Sequence, residues 1–136
     1  MDRKTSLNYS AALFLIAALT GCSYGLQRES ISDAEIKKTG IILHKNYQKL
    51  YQCLDEKGIK AGQVDLCCQV TSQLYTTQNR GEFRVTNPSG YYFVLFDLKA
   101  TAPKQTSLDI YAVGSIGRTY VSNWESTLKQ CEAESN

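Results

Sequence analysis

The residues of this 136-residue chain best equipped for chemistry are five cysteines and a single histidine, His44. Cys67 and Cys68 are adjacent, with Cys53 upstream and Cys131 near the end. Structural zinc takes cysteine or histidine pairs two to four residues apart, with matching partners elsewhere. No such spacing occurs here, and no Cys-x-x-Cys redox motif is present. His44 stands beside Lys45 and reads as a solvated side chain without a nucleophile or an orienting acid nearby. The carboxylate pairs, Asp55-Glu56 and Asp97 with Asp109, read as solvated surface. Gly114-Ser115-Ile116-Gly117 followed by Arg118 is too short for a phosphate-binding motif and reads as a strand-to-helix turn. The expectation is therefore a protein that is not an enzyme, with no metal and no cofactor.

The first residues set the address. Arg3 and Lys4 precede the apolar run Ala11–Leu19. Nine residues fall well short of the roughly 20 that span a bilayer as a helix. A basic start, a short apolar stretch and small residues before a cleavage point describe an export signal. Leu19-Thr20-Gly21-Cys22 then resembles the lipobox of bacterial membrane lipoproteins, a likeness confined to residues 1–23. The resemblance implies cleavage before Cys22, a thioether-linked diacylglycerol on its sulfur, and an acyl chain such as palmitate on its amine. Several acyl chains hold a protein on a membrane durably. Ser23 follows, and in that family the lack of an aspartate there favours the outer membrane. The organisation expected is a signal peptide over 1–21, a lipidated tether over 22–31 and one small domain over 32–136. Ten tether residues reach only ~15–20 Å.

In an oxidising envelope the four remaining cysteines, Cys53, Cys67, Cys68 and Cys131, read as two disulfides. A bridge between the neighbours Cys67 and Cys68 is strained and is set aside. The expected pairings are Cys53–Cys67 with Cys68–Cys131, or Cys53–Cys68 with Cys67–Cys131.

Removal of residues 1–21 leaves 115 residues, enough for one domain. The leader takes two of the fifteen cations and one of the thirteen acids, so the remainder carries +1. That balance gives no electrostatic case for nucleic acid.

Ser32-Asp33-Ala34-Glu35 has the form of a capping box, flanked by Ile31 and Ile36 as a hydrophobic staple. Ile36, Gly40, Leu43, Tyr47, Leu50 and Leu54 follow at helical spacing, so a helix is predicted from about Asp33 to Lys57. Alternation then predicts four strands, near Leu66–Tyr75, Phe83–Thr86, Tyr91–Ala100 and Leu108–Val113. Asn87-Pro88-Ser89-Gly90 is a strong turn signal. Tyr120, Trp124, Leu128 and Cys131 mark one face of a last helix. The predicted class is α+β, in the order α-β-β-β-β-α. It is a four-stranded antiparallel meander with both helices on one face, stapled by disulfides.

The chain carries nine tyrosines, which draws attention to the other face. Parity places Tyr91, Phe93, Tyr111 and Tyr75 there, an aromatic surface suited to docking. The functional expectation is a non-enzymatic accessory or docking lipoprotein of the cell envelope. It is anchored through Cys22 in the outer membrane, faces the periplasm and binds an envelope protein partner. The alternative is a small-ligand carrier, or an inhibitor of an envelope hydrolase, with a cleft between helices and sheet.

Overall fold

Alternating apolar residues from Val70 onward do form the predicted meander. In the computed structural model, which describes residues 25–57 and 68–134, the strands are β2 (Gln69–Tyr75), β3 (Arg80–Thr86), β4 (Tyr92–Ala102) and β5 (Gln105–Ala112). Each pairs antiparallel with the next. Short turns leave no other choice, since parallel neighbours need a long crossover. Leu66 lies outside the described residues.

The sheet has five strands, not four. Ile36–Leu43, read from the sequence as the first half of a long helix, is strand β1, and it pairs antiparallel with β5. The strand order is β1-β5-β4-β3-β2. Gly40 shows why a helix does not run through here. Its φ is +68°, a left-handed conformation glycine adopts without penalty, and its N–H donates to Asp109 Oδ1 at 2.9 Å. The pairing register shifts between Lys38 and Ile41, so Gly40 sits in a bulge. The segment Ser32–Glu35 does not cap a helix either. Arg28–Asp33 is a 3-10 turn.

The helix that does form, α1 (Tyr47–Glu56), starts at Asn46. The Asn46 Oδ1 accepts from the N–H groups of Gln48 and Lys49, and its Nδ2 donates to the Pro103 carbonyl. A side-chain oxygen at this position satisfies amides that the first turn leaves open. The second helix, α2, runs from Gly114 to Ala133.

Both helices cover one face of the sheet. Trp124 of α2 meets Phe96 edge-on at 5.0 Å and Phe83 at 6.3 Å, while Tyr51 of α1 packs on Phe83 at 4.9 Å. Leu50, Leu54, Val85, Leu98, Leu108 and Ile110 complete this apolar layer. α2 lies very close to the sheet at Gly117, where a Cβ would stand 2.7 Å from the Phe93 carbonyl oxygen. Among the described residues, no helix is long and apolar enough to cross a membrane.

Candidate functional site

Among the described residues, two places bring chemically capable side chains together: the sulfur bridge between the helices and the sheet face the helices leave uncovered.

Cys53 faces α2 from the border of the α1 apolar stripe, and Cys131 lies on the Trp124 face of α2. They form a disulfide with a Cα–Cα distance of 5.8 Å. This replaces both predicted pairings, because the packing of α1 against α2 sets the partners and sequence proximity does not. Cys68 is disulfide-bonded too. Cys67 and Cys22 are the two cysteines left in the sequence, and both lie outside the described residues.

Beside the bridge is a surface cavity of about 330 Å³, lined by Lys45, Lys49, Cys53, Lys57 and Glu134 among others. The Lys45 ammonium is buried there. It donates to the carbonyls of Cys131, at 2.7 Å, and of Glu134. A cation on the last carbonyls of a helix complements the negative end of its dipole. Lys57 pairs with Glu134 at 2.7 Å, so the end of α2 is tied to both ends of α1.

The uncovered sheet face carries a ladder of charge. Arg80, Glu82 and Arg84 alternate along β3, so period two puts all three on that face. Glu82 stands opposite Asp97 of β4, and Asp97 stands opposite Asp109 of β5. Like charges directly opposed destabilise a sheet unless each is otherwise paired. Here each carboxylate has a donor, Arg80 serving both Glu82 and Asp97. Asp97 accepts from Arg80 at 3.4 Å and lies 3.5 Å from the Lys99 ammonium, and Asp109 takes the Gly40 N–H.

Glu82 is the centre, with only 1% of its surface exposed. Arg28, from the 3-10 turn, forks onto both of its oxygens at 2.7 and 2.9 Å, and Arg80 adds a third bond at 2.7 Å. Burial opposes the charge on Glu82. The hydrogen bonds and charge of Arg28, with the charges of Arg80 and Arg84, outweigh it and hold this carboxyl below its ordinary range. The hydrogen bond to Glu82 likewise raises the Arg28 pKa further. The Arg28 guanidinium also lies over the Tyr92 ring at 5.6 Å, and that of Arg80 over Tyr75 at 4.9 Å.

The four residues predicted to form an aromatic face do not come together. Phe93 is 3% exposed and belongs to the apolar core, because a register shift near Thr86 breaks simple parity at the start of β4. Tyr75 and Tyr111 lie on β2 and β5, three strand spacings apart, roughly 14 Å at ~4.8 Å each. Tyr91 precedes β4 in the turn, its N–H donating to Asn87 Oδ1 at 2.9 Å. Between these tyrosines lies the charged ladder. The Arg-x-Glu-x-Arg alternation at 80–84 was its signal in the sequence; nothing local marked Arg28.

Residues 25–31, expected to belong to a tether, are laid on the domain instead. Leu26 exchanges two backbone hydrogen bonds with Tyr92, at 2.9 and 2.7 Å, and Arg28 locks onto Glu82. At Gly25 a Cβ would fall 2.6 Å from the Tyr91 Cβ, so only glycine lets the chain pass this close.

Among the described residues, no group of three or more His, Cys, Asp or Glu side chains could hold a metal ion. No protein-family model matches the chain, and no curated protein is significantly similar to it.

Proposed function

We propose that this chain is a non-enzymatic lipoprotein of the bacterial cell envelope, anchored through Cys22 and serving as an accessory or docking protein for an envelope partner. The observation that carries the reading is the Cys53–Cys131 bridge in a chain whose first 23 residues have the form of a lipoprotein leader. Disulfides persist in oxidising compartments, and a leader of this form delivers a chain to one. Acylation of Cys22 leaves Cys67 as the partner for Cys68, the neighbouring pair first set aside. A Cys22–Cys68 bridge would exclude the anchor.

The charged ladder supports a binding role over a catalytic one. A working carboxylate is tuned toward its operating pH, whereas Glu82 is held ionised by two guanidinium groups. The uncovered face, with Arg84, Lys99 and Tyr75 at its margins, is the surface we assign to docking. A ligand carrier has less support, since the layer between helices and sheet is filled by side chains such as Leu50, Phe83, Phe96 and Trp124.

Metabolic labelling with palmitate tests the anchor. Label should enter the wild-type protein and not Cys22→Ala. Equal labelling of both, or labelling of neither, would sink the proposal. Peptide mapping without reductant gives a second reading through the partner of Cys68.

A further inference from the structure

We infer that one particular end of the domain lies against the headgroup layer of the anchoring membrane: the end built from Gly25, the β3–β4 turn (87–91) and the first turn of α2. This inference rests on acylation of Cys22.

The argument is one of length. The described chain begins at Gly25, which is pinned: its backbone packs on Tyr91, and Leu26 is bonded in both directions to Tyr92. Only Ser23 and Tyr24 stand between Gly25 and Cys22. Three Cα-to-Cα steps reach at most about 11 Å when fully extended. A lipid on Cys22 therefore brings the bilayer surface to within that distance of Gly25. β4 alone, eleven residues from Tyr92 to Ala102, is roughly 36 Å long. The opposite end, at the Pro103-Lys104 turn, thus stands several times farther from the lipid than Gly25 does.

Register identifies what else lies at the near end. Tyr92 opens β4 opposite Thr86, the last residue of β3. Ala112 closes β5 opposite Ile36, the first residue of β1. Val113 donates its N–H to the Phe93 carbonyl at 2.9 Å, which places the start of α2 there as well. The turn Asn87-Pro88-Ser89-Gly90-Tyr91 carries no charge. Glu35, just before β1, faces Arg118 at 3.6 Å, so its charge is balanced. The occupant of the surface is the membrane itself.

The test uses the full-length lipidated protein, purified from membranes and reconstituted in phosphatidylcholine vesicles containing a headgroup-nitroxide lipid. The sole native tryptophan, Trp124, is buried and serves as the internal reference. A second tryptophan is placed at Ser89→Trp or, at the far end, at Lys104→Trp. Nitroxide quenching of the added emission should be severalfold stronger at position 89. A flexible Gly/Ser insertion between Tyr24 and Gly25 should abolish that difference. A protein that co-floats with vesicles but is quenched equally at both positions, or more at 104, would overturn the orientation alone. A protein that does not co-float would overturn the anchor, and the orientation with it.

Discussion

Replacing both halves of the interhelical bridge, Cys53→Ala with Cys131→Ala, removes a crosslink between residues separated by 78 positions. In the chain-entropy account, a loop of that length restricts the unfolded ensemble by about 4.5 kcal/mol at 25 °C. Cys131 is 0% exposed, so alanine there adds a packing loss of about 1 kcal/mol. Small domains have only about 5–15 kcal/mol in total. The variant should therefore lose a third or more of its stability. Urea unfolding followed by circular dichroism, without reductant so that the bridge to Cys68 stays in both proteins, reads this directly. At a slope of ~1.5–2 kcal/mol/M the midpoint should fall by about 3–4 M. Midpoints that agree to within ~0.5 M at equal slope would refute the view that this bridge is a principal staple of the fold.

Three further outcomes follow from contacts described above. Glu82→Gln should destabilise by about 3 kcal/mol at neutral pH, because it leaves Arg28 and Arg80 facing a neutral group. The folded carboxyl titrates below its unfolded value, so ionised Glu82 stabilises above the ordinary glutamate range and that contribution is lost as pH falls through the lower, folded value. Urea midpoints measured down to pH 3 should thus fall more steeply for wild type than for the variant, and parallel curves would contradict this. Gly117→Ala should destabilise by about 2 kcal/mol although alanine favours helices, since its methyl would press on the Phe93 carbonyl; a raised melting temperature would argue against so close an approach. Asn46→Ala should lower stability by about 1 kcal/mol through loss of the α1 cap and the tie to Pro103, as read by a urea melt. An unchanged midpoint would show that the cap is dispensable.

The four strands after Cys68 and the buried face of α2 were legible because period-two and period-3.6 patterns there are local and unbroken. β1 was not. Ile36, Gly40, Leu43 and Tyr47 keep helical spacing only if Gly40 counts as an apolar helical position, and its positive φ excludes that. The β-branched run Thr39, Ile41 and Ile42 favoured a strand, but its partner, β5, comes some seventy residues later. Asn46, a better helix start than Ser32, was hidden by the same extended periodicity. Pairing of Cys53 with Cys131 depends on how α1 meets α2, which no spacing encodes. The Arg80, Glu82 and Arg84 alternation was visible, whereas its third cation, Arg28, arrives through a segment that reads as a linker. Phe93 was misplaced because strict parity fails where a register shift sits beside a turn.

The long span of the sulfur bridge bears on how the chain matures. Polypeptides are synthesised N-terminus first, so Cys53 emerges well before Cys131, and Cys67 and Cys68 come into its reach earlier. Local loops close more readily than long ones, which makes a wrong early bridge the kinetic default. In the oxidising envelope proposed above, the native pair would then depend on late oxidation or on reshuffling by an isomerase. Leu26 and Arg28 wait likewise for Tyr92 and Glu82. Pulse-labelling with thiol trapping should catch Cys53 bonded to Cys67 or Cys68 before it is found with Cys131, and direct appearance of the native pair would argue that oxidation waits for the finished fold.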